Sequence, residues 1–229
     1  MEDTLIAYCL DKSGSMNNVS DDIIGTTNSF VESQDPDKNP AIVKGLTNIG
    51  ICTFSDYDKI TWSGKYSFNP INEYQPLTLE NYIPMGSTAL YDAITATITE
   101  CDRYIADHLD HNVKVIIVIQ TDGEENDSRE ATSNSVRKLI NVRTECGWSF
   151  TFLGANQDAC LTAKNLGINT KSAIQYNSTQ VGSRRVSLAL SSAVTRSRSA
   201  DPSQRDIGIT YTPTERSSQN VNPYNGPRV

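Results

Sequence analysis

Histidine is almost missing from this sequence: among 229 residues only His108 and His111 occur. That excludes chemistry built on a dispersed Ser/His/Asp or Cys/His set, and it excludes a histidine-rich zinc site. Cysteine is sparse as well. Cys9, Cys52, Cys101, Cys146 and Cys160 are odd in number, widely spaced and never form a C-x-x-C pair, a pattern that fits free thiols in a reducing compartment. Long hydrophobic runs are lacking. The most apolar run, Val113 to Ile119, is interrupted by Lys114 and falls far short of the ~20 residues that span a bilayer. No basic segment leads into an apolar stretch with a small-residue cleavage site, so the expectation is no secretory signal peptide and a cytoplasmic placement. Positive charge is in deficit: 20 Lys and Arg face 27 Asp and Glu, for a net charge of -7. A general nucleic-acid binder needs clustered Lys and Arg to neutralise phosphates, and is not expected. Neither G-x-x-x-x-G-K-[ST] nor G-x-S-x-G occurs, which removes the commonest phosphate cradle and the commonest serine nucleophile.

What is present alternates between strand and helix patterns. Thr4 to Leu10, Thr47 to Phe54, Lys59 to Trp62, Val113 to Ile119, Trp148 to Leu153 and Ser172 to Tyr176 are strand candidates. Helices are expected at Asn18 to Ser33, Ala89 to Asp107, Ser128 to Arg143, Ala159 to Leu166 and Ser178 to Ser197. In the second of these, Leu90, Ile94, Ile98, Cys101 and Ile105 make one apolar face. Val113 to Ile119 is apolar on both faces, as in the middle of a parallel sheet covered by helices on each side. Ser55-Asp56-Tyr57-Asp58 supplies a turn between two of the strands, so one antiparallel strand should sit at an edge. The pattern predicts an α/β fold with an open, mostly parallel six-stranded sheet. Ser63 to Pro84, broken by Gly64, Pro70, Pro76 and Pro84, is expected to be irregular.

Composition shifts near residue 199. Residues 199–229 hold Pro202, Pro213, Pro223 and Pro227, many Ser, Thr, Asn and Gln, and three Arg against three acids. They are expected to form an extended or disordered tail on a domain spanning 1–198. The net negative charge therefore belongs to the domain. Its last helix opposes that trend, with Arg184, Arg185, Arg196 and Arg198 and no acid between Ser178 and Ala200. A solvated basic face is one reading, and a docking face for an acidic partner is the other.

Three segments carry oxygen ligands at the ends of elements. Asp11-Lys12-Ser13-Gly14-Ser15 follows the first strand, at the strand end where open α/β sheets place ligands. A carboxylate and two hydroxyls at i, i+2 and i+4 can converge if Gly14 lets the loop turn sharply. Gly86-Ser87-Thr88-Ala89-Leu90-Tyr91-Asp92 puts Thr88 at a helix start, and Thr121-Asp122-Gly123 follows the central apolar strand. Such hard oxygens suit Mg²⁺. Taken alone, each segment is also an ordinary cap or turn. Glu124, Glu125 and Asp127 are expected to form a solvated acidic rim, and Asn156-Gln157-Asp158 is a further candidate for the same face.

Asp11-x-Ser13-x-Ser15, Thr88 in its Gly-Ser-Thr-Ala-Leu-Tyr-Asp setting, and Thr121-Asp122-Gly123, in that order, resemble the metal-ion-dependent adhesion site of von Willebrand factor A domains. The loop style resembles that of bacterial and phage intracellular members. The likeness spans residues 1–198 and implies a doubly wound sheet with helices on both faces. It implies a metal site of Asp11, Ser13, Ser15, Thr88 and Asp122, holding Mg²⁺, with Mn²⁺ or Ca²⁺ as substitutes. Ser13 and Ser15 would bind directly, Thr88 directly or through water, and Asp11 and Asp122 in the inner or second shell. The implied role is non-enzymatic capture of an Asp or Glu from a partner protein, inside a bacterial or phage assembly, in the cytoplasm or a virion. A second contact through the tail or the basic last helix is a further expectation, and neither nucleic acid nor membrane is an expected partner. Two other readings stand beside it: a structural subunit of a viral or other large complex docking through the tail, and an Mg²⁺-dependent phosphoryl-transfer enzyme with Asp11 as nucleophile. Against the enzyme, Ser13 stands where the haloacid dehalogenase pattern needs a second Asp.

Overall fold

A computed structural model describes residues 2–42, 45–64, 66–108, 113–155, 158–200 and 208–220. In chain order the elements are β1 (Asp3–Asp11), α1 (Ser20–Gln34), β2 (Thr47–Phe54), β3 (Ile60–Trp62), β4 (Asn69–Pro70), α2 (Leu90–His108), β5 (Val113–Thr121), α3 (Ser133–Glu145), β6 (Ser149–Ala155), α4 (Ala159–Asn165), β7 (Ala173–Tyr176), α5 (Gln180–Ser199) and α6 (Pro213–Ser217). The strands form one sheet in the order β3-β2-β1-β5-β6-β7, with β4 also on β2. All pairings from β2 through β7 are parallel. This is the mostly parallel α/β architecture the alternation implied, with helices on both faces.

The sixfold strand count misses only β4. Phe54 pairs with Ile60 and Ile49 with Asn69, both antiparallel, so β3 and β4 lie end to end along one outer edge of β2. The chain between them crosses β2 at Gly50, where a Cβ would stand 2.2 Å from the Ser67 carbonyl oxygen. Only glycine permits that approach.

Parity along β1 separates the two cores. Ile6, Tyr8 and Leu10 face the layer of α1 and α5, with Phe30, Val186 and Leu190. Leu5, Ala7 and Cys9 face α2, α3 and α4, with Ile94, Ile98 and Val136. Every residue of β2 is buried, and so are the last seven of β5. Continuous apolar strands are what two-sided burial requires. One polar group crosses the first core: the Tyr8 hydroxyl donates to Gln120 Oε1, and Gln120 Nε2 donates to the Tyr176 hydroxyl at 2.7 Å.

α3 starts five residues later than its periodicity implied. Thr132 caps it, accepting from the Ser135 backbone N–H at 3.2 Å, while Ser128 is committed to another helix. A larger departure lies within the expected tail. Residues 208–219 pack onto the domain: Ile209 and Tyr211 are buried in the α1/α5 core, and Thr212 and Glu215 form a reciprocal cap for α6. The Tyr211 hydroxyl lies 2.7 Å from Thr151 Oγ1. Arg216 donates to the carbonyls of Thr170, Lys171 and Ala173 at the start of β7. Pro202, Pro223 and Pro227 lie outside the described residues. Among those described, no helix is long and apolar enough to cross a membrane.

Candidate metal centre

β1 and β5 are neighbours in register and end together, which brings the Asp11 loop beside the Asp122 loop. Asp11 is fully buried. Its Oδ1 accepts the Ser13 backbone N–H at 2.7 Å and its Oδ2 accepts the Thr121 hydroxyl at 2.6 Å. Those bonds turn the chain so that Ser13 Oγ stands 3.0 Å from Ser15 Oγ. Ser15 Oγ in turn donates to Asp122 Oδ1 at 2.6 Å. Asp11, Ser13, Ser15 and Asp122 thus form one hydrogen-bonded chain, entered from Asp11 through the Ser13 backbone N–H and continued through the two serine hydroxyls. Thr88 enters through Gly123: a Cβ there would sit 3.2 Å from Thr88 Oγ1 and 3.8 Å from Ser15 Oγ. The structure therefore brings all five sequence-derived residues to one place.

Burial pushes the Asp11 carboxyl up to about 6, only partly offset by the Thr121 hydroxyl and the Ser13 N–H. Burial also raises Asp122. Two carboxylates held in a poorly solvated cluster of hydroxyls are short of positive charge. Among the described residues no group of three or more His, Cys, Asp or Glu could hold a metal ion. With three hydroxyls (Ser13, Ser15, Thr88) and two carboxylates (Asp11, Asp122), the set is hydroxyl-rich. Hard neutral oxygens backed by two carboxylates fit Mg²⁺, which takes few charged ligands and keeps waters.

Several residues fix this geometry without having been singled out in the sequence. Asn126 grips Thr88 from both sides, its Oδ1 accepting the Thr88 N–H at 2.8 Å while its own N–H donates to the Thr88 carbonyl at 3.0 Å. Glu125 was expected on a solvated rim. Instead its carboxylate accepts the Tyr91 N–H at the start of α2 and the N–H groups of Asp127 and Ser128. Asp127, from the same expected rim, accepts the Tyr57 N–H. Asp92 accepts the N–H groups of Arg129, Glu130 and Ala131. The start of α2 and the loop after β5 thus cap each other. Of the acidic rim, only Glu124 is exposed and makes no hydrogen bond among the described residues.

The strap before Thr88 lies over the Asp11 loop. Met85 N–H donates to the Lys12 carbonyl, Gly14 N–H to the Gly86 carbonyl, and the buried Tyr82 hydroxyl to the Asp11 carbonyl at 2.6 Å. Asp56 holds the strap from the other side, accepting the Ser87 N–H at 2.7 Å. Asp158 caps α4 through the Leu161 N–H, whereas Asn156 and Gln157 lie outside the described residues. The four arginines of the last helix do not form one free face. Arg196 pairs with Glu215, and Arg198 is buried against Gln34 and Thr47. Of the four, Arg184 and Arg185 make no ion pair among the described residues.

The fold is that of von Willebrand factor A domains, an α/β fold whose site loops emerge at the carboxyl ends of β1 and β5. Proximal thread matrix protein 1 from the mussel byssus, with a zinc-occupied MIDAS motif, is 15% identical with a TM-score of 0.56, covering 85% of this chain and 46% of its own. The von Willebrand factor type A protein from Catenulispora acidiphila is 9% identical with a TM-score of 0.59, covering 85% and 43%. The SpRpn10 VWA domain is 12% identical with a TM-score of 0.54, covering 83% and 95%. This chain spans less than half of the mussel and Catenulispora chains. No protein-family model matches the sequence, and no curated protein matches it.

Proposed function

We propose that this chain is a non-enzymatic interaction module that binds Mg²⁺ through Ser13, Ser15 and Thr88, backed by Asp11 and Asp122, and takes a carboxylate from a partner protein. The observation that supports the reading is the single hydrogen-bonded chain from the Asp11 carboxylate through the Ser13 N–H and the Ser13 and Ser15 hydroxyls to Asp122, with Thr88 beside it. Bound Mg²⁺ would supply a positive centre with an oxygen position left for the partner's Asp or Glu. The chain's own residues do the rest. Asp11 holds the loop through Ser13 and Thr121, and Ser13 and Ser15 present hydroxyls. Asn126 and Glu125 hold Thr88 and α2 in place. A nucleophilic role for Asp11 is disfavoured because its side chain is fully buried and Ser13 stands where a second Asp would be needed. Mn²⁺ or Ca²⁺ would substitute. A bacterial or phage assembly, in the cytoplasm or a virion, is the setting we favour. Arg184, Arg185 and the segment after residue 220 are the places for a second partner contact.

Mn²⁺ titration followed by electron paramagnetic resonance tests the metal. Wild-type protein should bind one Mn²⁺, and Ser13→Ala and Ser15→Ala should each weaken it at least tenfold. Equal binding in all three proteins would sink the assignment.

A further inference from the structure

Along the strap that covers the Asp11 loop, burial alternates. Tyr82 and Pro84 point inward and are buried, while Ile83 and Met85 point outward with 56% and 59% of their surface exposed. Alternation places both on the same side of an extended segment. An outward position normally carries a polar residue; here two large apolar side chains stand there side by side. They are also firmly placed. Tyr82 anchors the strap to the Asp11 carbonyl, Met85 N–H bonds the Lys12 carbonyl, and Gly86 bonds Gly14. Met85 is thus one residue from the loop that bears Ser13 and Ser15.

Charge is distributed unevenly around the same site. From Asn81 to Tyr91 the strap carries no charged side chain, in a protein of net charge -7. Glu124, next to Gly123, is exposed and makes no hydrogen bond among the described residues, and it lines a groove of about 470 Å³ with Asp158 and Leu161. Residues 81–91 set no acid of their own against a segment that brings a carboxylate, whereas Glu124 would repel one.

We infer that Ile83 and Met85 form a preordered apolar shelf that docks the residue flanking the partner's carboxylate, so that the partner segment is an Asp or Glu next to a large aliphatic or aromatic residue. The inference rests on the metal reading above and adds the chemistry of what that site selects. Apolar side chains carried on a backbone already tied to the site need no ordering of the loop on binding, which makes them effective contact points.

A phage-displayed library of random dodecapeptides tests it. Wild-type protein is panned in Mg²⁺ and phage are released with EDTA. Released peptides should carry an acid with Leu, Ile, Val, Met or Phe within about three positions. A synthetic peptide from that set should bind the Ile83→Ser/Met85→Ser variant at least tenfold more weakly, while Mn²⁺ affinity stays that of wild type. Released peptides with an acid but no apolar preference, or equal peptide affinity for the variant, would overturn the shelf and leave the metal reading standing. Mn²⁺ binding with no EDTA-released peptide overturns the shelf as well. Absence of both Mn²⁺ binding and EDTA-released peptides overturns the metal reading and the shelf together.

Discussion

Gly86 joins the strap to Thr88 and shows how tightly single residues set the site. Its φ is +77°, and a Cβ would stand 2.5 Å from both carboxylate oxygens of Asp56. Asp56 cannot simply retreat, because it holds the Ser87 N–H. Gly86→Ala should therefore cost about 1–3 kcal/mol through backbone strain and the displaced carboxylate, read as a lower urea midpoint. Mn²⁺ affinity should fall with it, since the Gly86 carbonyl braces Gly14. An unchanged midpoint would mean that Asp56 moves freely. At this scale the ligands were legible because their pattern is local: Asp11, Ser13 and Ser15 stand at i, i+2 and i+4. The residues that hold them were not. Asn126 meets Thr88 across 38 positions, and Asp92 meets Ala131 across 39. Nothing in a run of Glu, Asn and Asp distinguishes a carboxylate facing water from one accepting three backbone N–H groups.

Among the elements, α5 and the segment that follows it contrast most. Val186, Leu190, Ala193 and Val194 were legible as one apolar face because four residues repeat at helical spacing, and all four are buried. Ile209 and Tyr211 are only two residues in a Pro- and Ser-rich stretch, too few for a period. Their burial depends on Thr151, Lys171 and Arg196, which come from other elements. The Arg196 guanidinium meets the Glu215 carboxylate in a two-bond fork, at 2.7 and 2.9 Å. Burial acts to raise the Glu215 carboxyl, but the Arg196 fork and the Thr212 N–H outweigh it, and the net shift is below the ordinary value of 4.5. A depressed folded-state value stabilises the docked segment above pH 4.5, and that contribution is lost as pH falls through the lower folded value. Glu215→Gln should therefore lower Tm relative to wild type at pH 6–8, with the gap closing in acid as wild-type Glu215 protonates. A gap of constant size down to pH 3 would place the effect in packing instead of charge.

For the molecule as a whole, the doubly covered sheet was legible because Val115 to Ile119 is apolar at both parities, which only two-sided burial explains. The edge at β4 was not, since two residues at Asn69–Pro70 leave no pattern. Nor was the path of residues 76–88, whose prolines announce irregularity but not that Tyr82 would reach the Asp11 carbonyl. That path matters for stability, because the oxygen cluster is assembled from three segments far apart in sequence: the end of β1, the start of α2 and the end of β5. A cation bound there ties all three to the folded state and to nothing in the unfolded chain, so it must stabilise the whole domain by mass action. At a Mg²⁺ concentration a hundredfold above Kd the gain is about 2.7 kcal/mol, or roughly 5–10 °C in Tm for a domain of this size. Ser15→Ala removes one hydroxyl from the middle of the cluster and leaves the packed core alone. Its Tm in EDTA should lie close to that of wild type, while its Mg²⁺-induced rise should nearly vanish. A rise of equal size in both proteins would place the cation elsewhere, and no rise in wild type would mean that the hydroxyls of Ser13 and Ser15 serve only to tie the Asp11 loop to Asp122.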